Sequence, residues 1–170
     1  MTLVVPFDGS DLSKAGLLRA AQFEQVFDVG LLAVTVVPRG NVRYARDRGW
    51  IDDDEAFDDD AIVSSLRAAV AEIAPAAAFR CEFVGRYAPA GTIGNTLRRI
   101  AREVDASIVF VGSRNAGRIA STLSVGSSVA SERSYDTMIV SRIAPSRIRE
   151  LEAAVPTDET IGEELETEST

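Results

Sequence analysis

A short apolar run that ends in glycine, Ser107 to Val111 followed by Gly112, constrains the fold of this chain more than any other feature. Runs rich in β-branched residues are typical of strands buried on both faces of a parallel sheet. The residues that follow, 112–117 and 124–128, are rich in glycine and hydroxyl groups and precede a helix-like segment. A glycine loop before a helix N-terminus suits a phosphate, but it also fits a mobile surface loop with a serine N-cap.

Other strand-like runs alternate with helical patterns along the chain. The predicted strands are Leu3 to Phe7, Val29 to Val37, Phe79 to Val84 and Thr137 to Ser141, besides Ser107 to Val111. Pro6 should lie near the end of the first strand because proline cannot donate to a ladder. The strict alternation of Phe79 to Val84 favours a sheet edge. Strands that alternate with helices predict right-handed crossovers and a parallel sheet covered on both faces.

The helical segments carry apolar residues at helical spacing. Ser10 is the expected N-cap of the first helix, and Pro75 ends the second. Three sets of residues are each expected to form the apolar face of one helix. They are Leu12, Gly16, Ala20, Phe23 and Phe27 in the first helix; Ile62, Leu66, Ala69, Val70 and Ile73 in the second; and Ile93, Leu97, Ile100 and Val104 in the third. A further helix is expected between the glycine loop and about Ser134.

The connection from Pro38 to Phe57 is long for a compact α/β unit and carries a group of arginines with two aromatic residues. These residues are Arg39, Arg43, Arg46, Arg48, Tyr44 and Trp50. Long connections are often lids or binding loops, so one or two arginines could contact ligand phosphates. They could instead be solvated or pair with the acidic run Asp52 to Asp60. That run is either a cation site or, as we favour, a solvated helix entry, because carboxylates are stabilised at helix N-termini.

Composition excludes several classes of protein. The formal charge of −8 over 170 residues argues against nucleic acid and anionic membranes as partners. The absence of histidine removes catalytic triads and most zinc sites, and the single cysteine, Cys81, is expected to be a buried strand residue. No apolar run approaches a membrane span and the N-terminus resembles no signal peptide, so a cytoplasmic location is expected. We expect a domain over residues 1–145, then a short helix and an acidic, disordered tail over 146–170.

The glycine segment resembles the C-terminal signature of the universal stress protein family. Val111-Gly112-Ser113-Arg114 through Gly126-Ser127 is similar to the family pattern of glycine, two residues, glycine, nine residues, glycine and Ser or Thr. Asn115 stands where the second glycine belongs, and ten residues separate it from Gly126. Pro6 to Ser10 and Leu31 to Val37 are similar to the family's first strand end and second strand.

The resemblance implies a Rossmann-like α/β fold. Its open, parallel, five-stranded sheet would have the order 3-2-1-4-5 and helices on both faces, so that the first and fourth strands are neighbours. In such a sheet ligands bind beyond the carboxyl ends of the strands, where strand order reverses. The loops after Phe7 and Val111 would therefore open into one crevice.

The resemblance also implies a nucleotide site. Its residues would be Asp8, Val36, Val111, Gly112, Arg114, Gly126, Ser127 and Ser128. Asp8 would meet the ribose or adenine, Val36 would frame the base through its backbone, and Val111 would pack on it. Gly112 would approach the ribose and phosphates, with Gly126, Ser127 and Ser128 as phosphate donors. Each position also has a structural interpretation: Asp8 as a turn former, the valines as core, and Gly112 as a tight turn.

Two functions follow as hypotheses. The first is a stress-type regulatory protein that binds ATP, with Mg²⁺ or Mn²⁺, and does not turn it over efficiently; we expect no enzyme because no general base is evident. The second is a dimerisation or protein-interaction module that binds no nucleotide. In either case the resemblance implies a homodimer through the last strand, Thr137 to Ser141, and the protein partner is unknown.

Overall fold

A computed structural model describes residues 1–89, 91–112, 129 and 133–143 of the chain. The strands are β1 (Thr2–Pro6), β2 (Gly30–Pro38), β3 (Ala78–Val84), β4 (Ala106–Gly112) and β5 (Asp136–Val140). The helices are α1 (Asp11–Phe27), α2 (Val42–Asp47), α3 (Asp59–Ile73) and α4 (Thr92–Glu103). The predicted helix after the glycine loop lies outside the described residues, apart from Val129 and the positions from Arg133 onward. The same holds for the predicted division near residue 145 and for the acidic tail.

The five strands form one parallel sheet in the order β3-β2-β1-β4-β5, which confirms the predicted topology. β1 lies at the centre, with Val4 paired to Leu32 of β2 on one side and to Val109 of β4 on the other. Strand order therefore reverses at β1, and β1 and β4 are neighbours. The carboxyl ends of these two strands meet at one edge of the sheet.

Alternate residues of the strands face two separate apolar layers, one on each side of the sheet. Leu3, Val5 and Phe7 of the β1 segment point into the layer that α1 and α3 cover. Val4 faces the opposite layer, where Leu97 and Ile100 of α4 pack against it. Helices therefore cover both faces, as predicted, and apolar burial on both sides explains why β1, β2 and β4 read as near-continuous apolar runs.

Most local predictions hold, and two need correction. Pro6 is the last residue of β1, β3 is an edge strand, and Ser10 caps α1 by accepting from the Ser13 N–H at 3.3 Å. Phe27, however, is 59% exposed, because α1 ends beside Asp28 in the left-handed conformation and its last turn extends past the core. The connection after Pro38 is not a structureless loop, since it contains the short helix α2, capped by Asn41.

The acidic run serves as a helix entry, as we favoured. Asp58 caps α3 through a 3.0 Å hydrogen bond from the Ala61 N–H, and Asp59 and Asp60 occupy the first turn. Arg39 pairs with Asp59 at 2.7 Å and its guanidinium lies 4.1 Å from the centre of the Phe83 ring. One arginine of the long connection is therefore paired with this run, the structural alternative considered above.

A network of four charged side chains joins the edge strand β3 to α4. Arg80 and Arg99 each pair with both Glu82 and Glu103, and the Arg80 to Glu103 contact is 3.0 Å long. Cys81, beside this network in sequence, is half-buried, and burial is the main cause that raises the pKa of its thiol to about 11. The thiol is therefore neutral at physiological pH. Cys81 is a strand residue, as predicted, but it is half-buried and not fully buried. None of the helices within the described ranges is long and apolar enough to cross a bilayer.

Candidate functional site

The carboxyl ends of β1 and β4 open into a single cleft, which we call the Asp8 cleft. Its apolar walls are Val34, Val36, Ile93, Leu97 and Val111, and its polar lining includes Asp8, Ser13, Thr35, Tyr44 and Arg48. The cavity between them measures about 110 Å³. That volume is enough for several water molecules, so the side chains of the described residues do not fill the gap. The predicted juxtaposition of the two strand ends is thus present at the point where strand order reverses.

The loop after β1 holds Asp8 in a tight turn. The Ser10 N–H donates to Asp8 Oδ1 at 3.0 Å, and Gly9 has the positive φ of 78° that glycine adopts without strain. Behind the turn, the indole N–H of Trp50 donates to the Asp8 carbonyl at 2.7 Å. Asp8 is therefore a turn former, while its second carboxylate oxygen, Oδ2, takes no part in that turn. The structural and the ligand-binding interpretations of this residue are compatible.

Arg48 lies next to that second oxygen. Its Nε is 4.0 Å from Asp8 Oδ2, and its guanidinium lies 3.8 Å from the centre of the Tyr44 ring. The Nε atom is buried and has no hydrogen-bond partner among the described residues. Burial raises the pKa of Tyr44, an effect that Arg48 opposes and Asp8 reinforces. The mouth of the cleft therefore holds a cation and a carboxylate with unused hydrogen-bonding capacity.

The two buried hydroxyl groups of the cleft have structural partners. Thr35 donates to the Phe7 carbonyl at 2.6 Å and so ties the end of β1 to β2. Ser13 donates to the Ser10 carbonyl at 2.9 Å within the first turn of α1. Because both donors are engaged, these hydroxyls fix the position of the strand end and the helix start rather than offering a free proton donor.

Gly112 has a packing role that the sequence did not suggest. A Cβ atom at this position would lie 2.8 Å from the backbone carbonyl carbon and oxygen of Leu12 in α1. Separations below about 3.0 Å are steric clashes, so only glycine lets the end of β4 approach the first turn of α1 this closely. Gly112 is the last residue of β4 and not part of a tight turn. Its structural role is therefore the close contact between this strand and α1.

The structure brings together half of the predicted site. Asp8, Val36, Val111 and Gly112 all line the Asp8 cleft. Val36 and Val111 are buried and pack in the same apolar layer as α4, so their side chains form its wall. Arg114, Gly126, Ser127 and Ser128 lie outside the described residues, and their roles stay predictions.

Several cleft residues were missed or only partly anticipated. Arg48 and Tyr44 appeared in the sequence only as members of a group of arginines and aromatics, and α2 is what brings them to the cleft. Ile93 and Leu97 were predicted as one face of α4, and that face forms the wall opposite the strands. The helical spacing of Ile93 and Leu97 predicted that they share one apolar face, but such a pattern does not indicate which face of the sheet a helix covers.

The described part of the cleft offers little to a metal ion by itself. No group of three or more acidic or cysteine side chains lies close enough to hold a cation within the described ranges. Asp8 is the carboxylate that lines the cleft there, and it faces Arg48. A divalent ion would therefore depend on ligand phosphates for most of its oxygen ligands.

Solved structures with the same fold are universal stress proteins. A universal stress protein crystallised in complex with cAMP is 26% identical, with a TM-score of 0.56 over 82% of this chain and 95% of that one. A family protein from Burkholderia pseudomallei is 19% identical, with a TM-score of 0.52 over 83% of this chain and 96% of that one. A universal stress protein from Archaeoglobus fulgidus is also 19% identical, with a TM-score of 0.50 over 82% of this chain and 90% of that one.

The comparison with curated proteins gives no match. The model of the universal stress protein family, in contrast, matches residues 1–141, the whole of the described sheet. With the strand order 3-2-1-4-5 and the cleft at its reversal point, this match shows that the chain belongs to the universal stress protein family.

Proposed function

We propose that this chain is a cytoplasmic regulatory protein that binds an adenine nucleotide, ATP above all, in the Asp8 cleft without efficient turnover. The observation that carries the proposal is the cleft itself, where the ends of β1 and β4 face each other between apolar walls and a charged mouth. A flat aromatic base suits the apolar walls, and a ribose suits the neighbouring hydrogen-bonding groups. The relative that is 26% identical is described in complex with cAMP, which supports an adenine ligand.

In this proposal each predicted residue has a defined task. Asp8 contacts the sugar or base, Val36 and Val111 form the base pocket, and Gly112 lets the ligand approach the end of β4. The remaining predicted residues, Arg114, Gly126, Ser127 and Ser128, contact the phosphates. Mg²⁺ or Mn²⁺ accompanies the phosphates and neutralises their charge.

Slow turnover follows from the groups available to move a proton. The chain has no histidine, and the carboxylate that lines the described part of the cleft, Asp8, is held in its turn and faces Arg48. A general base must be able to reach and accept the proton it removes. The described cleft residues therefore favour holding a nucleotide over hydrolysing it.

The test separates the two roles of Asp8. The purified protein is denatured and its supernatant chromatographed for adenine nucleotides, and the emptied protein is then titrated calorimetrically with ATP, with and without Mg²⁺. Asp8→Asn keeps an oxygen that can accept from Ser10 but removes the charge, so ATP affinity should fall while stability is nearly unchanged. Asp11→Asn is the matched control, because Asp11 is exposed in the first turn of α1 and does not line the cleft.

Two results would contradict the proposal. One is the absence of any nucleotide in the supernatant together with no heat of binding at millimolar ATP. The other is equal affinity in Asp8→Asn and Asp11→Asn, which would move the ligand away from the Asp8 cleft.

A second candidate function, a dimerising interaction module, is favoured by the edge strand β5. β5 pairs with β4 on one side only among the described strands, and Ile139 on it is 44% exposed. An unpaired edge with an exposed apolar residue suits addition of a second copy across a two-fold axis. Sedimentation of wild type against Ile139→Lys tests this idea. A dimer that becomes a monomer supports it, and a wild-type monomer at micromolar concentration excludes it.

A further inference from the structure

A basic surface groove lies beside the Asp8 cleft, and we call it the arginine groove. It is lined by Arg43 and Arg46 of α2 together with Arg86 and Tyr87 after β3. A smaller hollow, lined by Tyr44, Arg86 and Ile93 among others, connects it to the cleft, because Tyr44 and Ile93 line both. The groove and the cleft therefore share the carboxyl edge of the sheet.

The arginines of this groove differ from the ion-paired arginines described above. Arg39, Arg80 and Arg99 are held in ion pairs. Arg43, Arg46 and Arg86 form none with the described residues, although two carboxylates, Asp47 and Asp53, also line the groove. Tyr87 is 84% exposed, with the Arg86 guanidinium 5.3 Å from the centre of its ring. Three arginines with unused donors beside an exposed aromatic ring form a surface that suits a carboxylate-rich polypeptide.

The C-terminal segment of the chain is itself a carboxylate-rich polypeptide. The chain continues for 27 residues beyond Ile143, and from residue 150 onward it contains no lysine or arginine. Between residues 158 and 168 it has six carboxylates: Asp158, Glu159, Glu163, Glu164, Glu166 and Glu168. We propose that this acidic C-terminal segment docks in the arginine groove of its own chain.

Geometry and concentration both favour an intramolecular contact. β5 ends at Val140 on the same edge of the sheet, and three strand spacings of about 4.8 Å separate β5 from β2, where the groove begins. The residues between 143 and 158 can span roughly 50 Å when extended, at about 3.3 Å each. A tethered segment also has an effective concentration in the millimolar range, which favours it over a separate acidic partner.

The proposed contact does not depend on nucleotide binding, because the three arginines that carry it, Arg43, Arg46 and Arg86, line the groove and do not line the Asp8 cleft.

Paramagnetic broadening in the full-length protein tests the contact. In a Cys81→Ser background, Glu166→Cys carries a nitroxide label, and amide signals are compared with those of the reduced label. We expect selective signal loss at residues 41–47 and at Arg86 and Tyr87, which disappears at about 1 M salt, where the screening length is about 3 Å. Arg43→Gln with Arg46→Gln should abolish the loss. The matched pair Arg80→Gln with Arg99→Gln removes the same charge elsewhere and should leave it intact.

Three results would overturn the proposal. The first is uniform or absent broadening, and the second is broadening that persists in the groove variant. The third is broadening in a mixture of labelled, isotope-free protein with unlabelled, isotope-enriched protein, since this places the segment of a second copy in the groove. The spectra report folding directly, so a variant that loses its native structure is recognised, and single substitutions of Arg43 or Arg86 then replace it.

Discussion

The mouth of the Asp8 cleft and the surface between β3 and α4 both hold arginines beside carboxylates, but they use them differently. On the surface, Arg80 and Arg99 each pair with both Glu82 and Glu103, so that every member of the network has partners. In the cleft, the Nε of Arg48 stays 4.0 Å from Asp8 and has no hydrogen bond with the described residues.

The difference separates charges that complete a structure from charges that are available to a ligand. A closed network satisfies its own donors and acceptors, and its position in solvent limits its contribution to stability. A buried donor without a partner costs stability, and a ligand that supplies the acceptor recovers that cost on binding. Completeness of pairing, and not the number of charges, therefore distinguishes the mouth of the Asp8 cleft from the network between β3 and α4.

The largest expected effect concerns the floor of the cleft. Gly112→Ala places a methyl group 2.8 Å from the Leu12 backbone, so we expect it to lower the free energy of unfolding by roughly 1–3 kcal/mol, as overpacking does. Gly16→Ala is the matched control, because its Cβ would lie 3.8 Å from Val5 Cγ1 in ordinary contact. That helical change should stabilise the protein by roughly 0.5–1 kcal/mol. Urea denaturation measures both, and equal effects would refute the packing role of Gly112.

The next effect tests whether Arg48 is available to a ligand. Arg48→Met keeps an apolar stem over Tyr44 and removes the unsatisfied Nε, so the free energy of unfolding should change by less than about 1 kcal/mol. Under the proposed function, ATP affinity should fall roughly tenfold or more, since a hydrogen bond to a charged group contributes about 1.5–3 kcal/mol. Calorimetric titration of the variant measures it. A large loss of stability with unchanged affinity would make Arg48 a structural residue.

A smaller effect is expected where pairing is complete. Hydrogen bonds from Arg99, and then from Arg80, lower the pKa of Glu103 below its ordinary 4.5. The stabilisation from this pKa shift is therefore present above about pH 4.5 and is lost as the pH falls through the lowered pKa of Glu103 in the folded state. Glu103→Gln should lower the melting temperature slightly at neutral pH and low salt, and not at all at about 1 M salt. A salt-independent loss would mean that packing, not charge, is involved.

The smallest effect concerns Cys81, which neighbours the network. Burial is the main cause that raises its pKa from 9.0 to about 11, so the folded state favours the neutral thiol. The resulting stabilisation is complete below pH 9 and is lost as the pH rises towards 11. At pH 8 alkylation by iodoacetamide should be markedly slower in the folded protein than in urea. Equal rates would show that the thiol is exposed.

Sequence patterns predicted the sheet more completely than the site. Buried parallel strands must be apolar on both faces, so the apolar runs Val29 to Val37 and Ser107 to Val111 could be predicted as strands. Their order, however, came from the family resemblance and not from the patterns. The short helix α2 was missed because its six residues, Val-Arg-Tyr-Ala-Arg-Asp, bury only Ala45 and show no apolar stripe.

The contacts that define the cleft could not be obtained from local sequence. Arg48 reaches Asp8 across 40 residues through the folding of α2, and Gly112 is constrained by a helix that begins about 100 residues earlier. Both contacts depend on tertiary packing, which periodicity does not encode. Asp8, by contrast, could be predicted as a turn former, because Asp-Gly-Ser is itself a turn sequence.

The hydrogen bond from Trp50 to the Asp8 carbonyl has a practical consequence. The chain contains a single tryptophan, and its indole N–H donates a 2.7 Å hydrogen bond to the carbonyl oxygen of Asp8. Its ring also meets Tyr44 edge-on, with the ring centres 5.6 Å apart. The emission of this indole therefore comes from the edge of the cleft alone, and it provides an intrinsic optical signal for any event that shifts the Asp8 loop.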